Sequence, residues 1–313
     1  MSVAEGLHHV TAISGGAQAN VDFYVGVLGL RFIKRTVNFD DPGTYHLYYG
    51  DGEASPGTVM TFFPWANAPK GTQGSGQLTV TAFGVPKGSL DYWRARLTEN
   101  GIEYGETESR FGDEVLPFAD ESGMRVELVA AEDPRKGWDG GPVPEEFAVR
   151  GFHSVTLSVR NPARTGEVLG VLGFREAVSA DGRTRYEAGA GGIGNSVDLV
   201  DGSGGAEGRM GVGTVHHVAF RVPNDRAHGE VREKVSTLGF DVTPVLDRNY
   251  FHSIYFREPG GVLFEIATDN PGFDADEPMD ELGRALKLPG WLEPRRERIE
   301  QVLDPLTIPG GER

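Results

Sequence analysis

The chain has 313 residues, with 30 Lys and Arg against 46 Asp and Glu, a formal net charge of −16. That length corresponds to about two domains, and that charge argues against nucleic-acid binding and against adsorption to anionic lipid, because phosphate groups would be repelled. The absence of cysteine removes disulfides, thiolate metal sites and cysteine nucleophiles and fits a reducing compartment.

No apolar run reaches membrane-spanning length, and the opening MSVAEGLHHV lacks the basic and apolar regions of a signal peptide, so the expectation is a cytoplasmic protein. The 45 glycines suggest many tight turns between short strands.

The chain opens on a strand, His9–Ile13, followed by an amphipathic helical segment with Val21, Tyr24, Val25 and Leu28 at helical spacing and Gly29 as a stop. Three strands follow, over Arg31–Val37, Thr44–Tyr49 and Thr58–Phe63. The pattern then returns three times. Phe83-x-Val85-Pro86 leads into a helix carrying Leu90, Trp93 and Leu97. Val155-x-Leu157-x-Val159 leads into Val168, Leu169 and Leu172, and Val218-x-Phe220-x-Val222 into Val231, Val235 and Leu238. The unit is βαβββ, repeated at about 1–66, 75–131, 150–202 and 212–270. We therefore expect an α+β fold of four such modules, forming two domains with cup-shaped mixed sheets. Residues 1–131 (modules 1 and 2) would make the first domain and 150–270 (modules 3 and 4) the second, joined by a Pro-, Gly- and charge-rich linker at 132–149. Residues 271–313, interrupted by Pro278, Pro289, Pro294, Pro305 and Pro309, read as a tail strapped over the core.

Alternation along a strand sends the residue before the first apolar position to the opposite face, into the cup. That residue is His9 in module 1, Val80 in module 2, Ser154 in module 3 and His217 in module 4. Aligning on Gly29 and Gly173 instead would match His9 with His153. The last strand of each module offers a second cup position. Glu265 in Val262-Leu-Phe-Glu-Ile-Ala comes 48 residues after His217, and Glu127 comes 47 after Val80; Asp198 is the counterpart in module 3. A carboxylate flanked by apolar residues in a strand is costly unless paired or bound to metal. Two imidazoles and a carboxylate on rigid strands make a three-ligand site, which as one face of an octahedron suits a non-haem Fe(II) oxygenase. His9, His217 and Glu265 supply it if modules 1 and 4 face each other. Pairing modules 3 and 4 would instead offer Asp198, or His153, with His217 and Glu265. In the run Asp247–Phe256, period-two counting puts Phe251, Ser253 and Tyr255 on one face; Arg248 could stabilise a phenolate or carboxylate, and Tyr255 could donate a hydrogen bond. The competing reading is a set of hydrogen-bonded strand histidines and an ordinary aromatic edge strand.

The strings Leu7-His-His-Val-Thr-Ala-Ile, Thr36-Val-Asn-Phe-Asp-Asp-Pro-Gly-Thr-Tyr-His-Leu-Tyr, Thr61-Phe-Phe-Pro-Trp65, Val215-His-His-Val-Ala and Asp247-Arg-Asn-Tyr-Phe resemble the vicinal oxygen chelate (glyoxalase/bleomycin-resistance/dioxygenase) superfamily, and within it the hydroquinone-type ring-cleaving dioxygenases. The resemblance covers nearly the whole chain. It implies an Fe(II)-dependent extradiol-type enzyme, with Mn(II) accommodated by the same ligand set, that uses dioxygen to open the ring of a small aromatic substrate. It carries the metal to His9, His217 and Glu265, and supporting or substrate-binding roles to His8, Thr11, His216, Arg248 and Tyr255. A glyoxalase-like lyase or isomerase would need a fourth protein ligand, which falls near Thr61, a poor one. A non-catalytic aromatic-binding protein is the remaining alternative. Homo-oligomerisation is left open.

Overall fold

The computed structural model describes residues 3–309, and its strands follow the four-module order. Module 1 contributes β1 (Leu7–Ser14), β2 (Arg31–Val37), β3 (Tyr45–Gly50) and β4 (Val59–Pro64), and module 2 contributes β5 (Gln77–Pro86), β6 (Glu108–Arg110), β7 (Asp113–Ala119) and β8 (Arg125–Ala131). Module 3 supplies β9 (Phe152–Val159), β10 (Arg175–Ala180), β11 (Arg183–Glu187) and β12 (Ser196–Asp201). Module 4 supplies β13 (Thr214–Val222), β14 (Leu246–Asp247), β15 (Phe251–Arg257) and β16 (Leu263–Pro271). Helices α1 (Ala17–Val21), α2 (Leu90–Glu99), α3 (Pro162–Leu172) and α4 (Asp225–Thr237) follow the opening strands, and α5 (Arg296–Val302) lies in the tail.

Strand pairing sets how the modules combine into sheets. One eight-stranded sheet runs β14-β15-β16-β13-β1-β4-β3-β2 and the other β10-β11-β12-β9-β5-β8-β7-β6. Modules 1 and 4 therefore share one cup and modules 2 and 3 the other, so neither 1–131 nor 150–270 closes a sheet by itself. The reason lies in the opening strands: β1 pairs antiparallel with β13, and β5 with β9, placing the first strand of a module beside the first strand of a module from the other half. Both cups are mixed sheets: β4 runs parallel to β1 and β16 to β13 in the first, and β8 parallel to β5 and β12 to β9 in the second.

The alternation sorts each opening strand as expected. Val10 and Ala12 join a hydrophobic cluster that also contains Phe220, Phe83 and Leu157, a continuous core under both sheets. The helices bury Leu90, Trp93 and Leu97, then Val168, Leu169 and Leu172, then Val231 and Val235. Leu238 departs from the pattern: it caps α4 and is 47% exposed. Module 1 departs further. After α1 the chain widens into a π-helix over Asp22–Val27, with Leu28 N–H donating to Phe23 O at 2.9 Å. The wider turn buries Phe23, Tyr24, Val25 and Val27 together, a broader face than regular helical spacing provides. Gly29 then takes a left-handed turn (φ +70°) beside Val143, where a Cβ would lie 2.5 Å from a methyl group.

This helix is anchored to module 2 through a buried carboxylate. Asp120 accepts from the Ser122 and Met124 backbone N–H groups at 3.0 and 2.8 Å and from Tyr24 Oη–H at 3.0 Å. Burial and the neighbouring Glu121 raise its pKa to about 7. The folded value lies above that of an unfolded Asp, about 3.9, so the stabilising contribution is full below that value and lost as pH rises through about 7. Asp120→Asn keeps acceptor capacity without the charge. The thermal midpoint of that variant should fall less than the wild type's between pH 5 and 8, measured by calorimetry.

The tail crosses both edges of the first sheet. Lys34 on β2 is fully buried and bonds Asp276 at 2.8 Å and Glu277 at 2.7 Å, while Asp276 also accepts from Tyr250 Oη–H at 3.0 Å, next to β15. Val37 of β2 packs with Leu288, Leu292 and Ile299. No helix among the described residues is long and apolar enough to cross a membrane.

Candidate metal centre

Each of the three candidate ligands sits where the alternation predicts, on adjacent central strands of the first sheet. His9 is on β1 and His217 on β13; Glu265 on β16 pairs with Ala219, two residues beyond His217. All three are buried. His9 Nε2 and His217 Nε2 lie 3.2 and 2.9 Å from Glu265 Oε2, and 3.3 Å from each other. An ion bonded to three such atoms at about 2.1 Å and at right angles would separate them by about 3.0 Å. His153 and Asp198 belong to the other sheet, which removes them from this cluster.

The protonation pattern strengthens the fit. His8 Nε2 faces the Thr268 carbonyl at 3.1 Å, an acceptor, so this nitrogen carries a hydrogen. Burial pushes the His8 pKa down to about 3, leaving the ring neutral and its Nδ1 an acceptor. His9 Nδ1, 2.8 Å away, must then donate to it, and His9 Nε2 presents a lone pair. At His216 and His217 the Nδ1 atoms are likewise close, 2.7 Å apart, and burial pushes the outer histidine down to about 3, leaving it neutral. On Glu265, Oε1 accepts from the buried Ser253 hydroxyl, whereas Oε2 accepts no hydrogen bond among the described residues. Burial works against ionisation of Glu265, so a ligating carboxylate here would be costly without a cation beside it. Three lone-pair atoms thus converge on one point with no hydrogen to share, an arrangement that a divalent cation satisfies.

Aromatic rings surround this point. Phe251 lies 4.9 Å from the His9 ring and Tyr255 5.6 Å from the His217 ring, while Phe63 stands between His46 and His216 at 4.4 and 5.8 Å. Arg248 Nε donates to Tyr255 Oη at 3.3 Å and its Nη1 reaches Asp40 at 3.2 Å. That second contact joins the β14–β15 turn to the β2–β3 loop, so opposite edges of one sheet approach across the cup. Burial and the Glu265 charge raise the Tyr255 pKa, keeping its hydroxyl protonated. Thr11, the remaining candidate, neighbours His217 on the β1–β13 ladder. The cluster thus gathers His8, Thr11, His216, Arg248 and Tyr255 around the triad. Sequence reading passed over Ser253 as a partner of Glu265 and over His46, which bonds Thr61 at 2.8 Å. Period-two counting puts Ser253 on the Tyr255 face, and the Tyr45-His-Leu-Tyr strand carries the signal for His46.

The second cup uses the same positions differently. Val80 and Ser154 stand where the first cup has histidines. Glu127 bonds Arg110, and Asp198 bonds Arg183 at 3.2 Å and Arg185 at 2.7 Å. Its carboxylates are neutralised by arginines, leaving no cluster of metal donors there among the described residues.

The sequence profile of the Glyoxalase/Bleomycin resistance protein/Dioxygenase superfamily matches residues 6–128 and 151–266. The chain belongs to this superfamily. Among curated relatives in it, the chain is 47% identical over 305 residues to a Bacillus subtilis (strain 168) protein with the provisional name ring-cleaving dioxygenase MhqO, covering 97% of each. It is 34% identical over 314 residues to the chlorohydroquinone/hydroquinone 1,2-dioxygenase of Sphingobium indicum, covering 97% of this chain and 98% of that one. A Bacillus subtilis crystal structure, provisionally named as a dioxygenase, superposes with a TM-score of 0.94 at 45% identity, covering 98% and 99% of the two chains. Glyoxalase I from Zea mays superposes at 0.63 with 14% identity, over 85% of this chain and 92% of that one, and shares the fold.

Proposed function

We propose that this protein is an Fe(II)-dependent ring-cleaving dioxygenase of the extradiol type acting on a hydroquinone or a related phenol, with His9, His217 and Glu265 as the metal ligands. The observation that carries this is the convergence of three unsatisfied lone-pair atoms inside an aromatic-walled cup, in a chain whose relatives bear ring-cleaving names. Fe(II) held by His9, His217 and Glu265 would supply one-electron chemistry toward dioxygen and an aromatic substrate. Mn(II) suits the same donors.

The chain's own residues do the rest. His8 and His216 hold the ligand imidazoles with Nε2 forward. Ser253 occupies Glu265 Oε1 and so leaves Oε2 for the metal. Phe63, Phe251 and Tyr255 offer ring faces to the substrate and exclude water. Tyr255 Oη accepts from Arg248 and keeps its own hydrogen for a substrate oxygen, while the guanidinium stabilises the negative charge that grows there. In the overall reaction one ring C–C bond is lost and both atoms of dioxygen enter the product.

The test is anaerobic loading with Fe(II) followed by oxygen-electrode assays with hydroquinone, chlorohydroquinone and catechol. One dioxygen should be consumed per hydroquinone, with loss of ring absorbance. Stoichiometric Fe(II) without oxygen uptake on any of the three would overturn the assignment.

A further inference from the structure

Resting on that reading, a second polar device in the same cup points to how substrate oxygen is held. The pseudo-twofold relation between modules 1 and 4 equates His9 with His217 and Thr11 with Ala219. Thr61 pairs with Thr11 as Glu265 pairs with Ala219, so Thr61 occupies the counterpart of the ligand carboxylate. Its hydroxyl is engaged twice, by Thr11 Oγ1 at 2.8 Å and by His46 Nε2 at 2.8 Å. Beyond it, His46 Nδ1 is 2.8 Å from Tyr48 Oη. Four side chains from β1, β4 and β3 thus form one unbranched chain that ends beside the metal ligands.

Its polarity can be worked out from the buried end. Tyr48 is 1% exposed, and burial raises its pKa well above the usual value, so it keeps its hydrogen. Burial likewise lowers His46 well below its usual value, so the ring is neutral and carries one N–H. An unmatched buried O–H is costly, so Tyr48 donates to Nδ1, and the hydrogen of His46 sits on Nε2. Nε2–H then donates to Thr61, and Thr61, with one hydrogen and one remaining partner, donates to Thr11. Among the described residues the Thr11 hydrogen is left over. Thr11 shares the cup face with His9, in a register unbroken between them, and faces His217 across the ladder.

We propose that His46 and Tyr48 are positioning residues that polarise Thr61 and Thr11, so that Thr11 Oγ–H is a fixed donor for an anionic phenolic oxygen of the substrate. A fixed donor favours the stronger acceptor, an anionic phenolate over the weakly accepting oxygen of an aryl ether. It needs no net proton transfer, and His46 stays neutral throughout.

The experiment uses the full chain loaded with Zn(II), which binds without redox turnover, and titrates 4-nitrophenol by difference absorbance against 4-nitroanisole. Wild type should take up the phenolate in preference to the ether. Tyr48→Phe and Thr11→Val preserve packing, and each should weaken phenolate binding about five- to tenfold while leaving the ether unchanged. In the Thr11→Val background, Tyr48→Phe should cost less than twofold more, because the chain no longer has a terminus to polarise. His46→Gln should bind more tightly than His46→Leu. The inference alone is overturned if either single variant binds the phenolate within twofold of wild type, or if the two losses multiply in the double variant. Uptake of neither compound by Zn(II)-loaded wild type would overturn it together with the dioxygenase reading. Polarised binding without oxygen consumption by the Fe(II) form would overturn that reading alone.

Discussion

His217→Ala should leave a folded protein that retains no stoichiometric Fe(II) after desalting, with oxygen uptake on hydroquinone at background. The expectation follows from the donor arrangement. Removing His217 leaves His9 Nε2 and Glu265 Oε2, 3.2 Å apart, as the remaining donors, and two ligands cannot hold the ion against water. Groups that orient a ligand typically cost 10- to 100-fold in affinity when lost, so loss of the ligand itself should exceed that range. His216→Ala should fall within it, because His217 would keep Nε2 but lose the partner 2.7 Å from its Nδ1. Metal analysis after gel filtration, with circular dichroism to check the fold, separates the two. Glu127→Gln is the control: the same strand position in the other cup, bonded to Arg110, should leave metal content untouched. Wild-type metal content in His217→Ala would overturn the ligand assignment.

Much of this site was legible because strand alternation is a strict rule. Once Val10 and Val218 are assigned to the core, His9 and His217 must face the other way, and the spacing to Glu265 places the carboxylate on the neighbouring strand. The residues flanking the doublets were legible as candidates, but their use depends on tautomers set by a carbonyl 260 positions away, at Thr268. Ser253 and His46 were harder still, since a serine or histidine on a strand becomes meaningful only when its cross-strand neighbour is known. How the modules share sheets is hidden for a related reason. Four similar units can pair along the chain or across its halves, and local alternation is the same in either case. The π-helix was also hidden, because Val21, Tyr24, Val25 and Leu28 fit an ordinary helical stripe until the whole run Phe23–Val27 must be accommodated against the core.

The second cup carries the other large expected effect, this time on stability. Asp198 is fully buried on β12, bonded to Arg185 on the neighbouring β11 and to Arg183, which also donates to Thr156 Oγ1 at 2.7 Å. Arg185 in turn lies over the Phe111 ring at 4.8 Å. Asp198→Ala would leave two largely buried guanidinium groups facing one another's field without their shared carboxylate. Breaking a buried ion pair from one side costs about 3–5 kcal/mol, which for sheets of this size corresponds to a fall of about 10 °C in the thermal midpoint. The same change lies in the sheet that lacks the metal cluster, so Fe(II) stoichiometry at low temperature should stay that of wild type. Scanning calorimetry alongside metal analysis tests both halves of this expectation. An unchanged midpoint would mean that the arginines find solvent when Asp198 is lost; a lowered metal content at full folding would mean that the two cups are coupled. The asymmetry follows from chemistry at equivalent positions. Where the position before the core residue is histidine, the end-strand carboxylate is left for a metal, and where it is valine or serine, arginines from nearby strands neutralise that carboxylate.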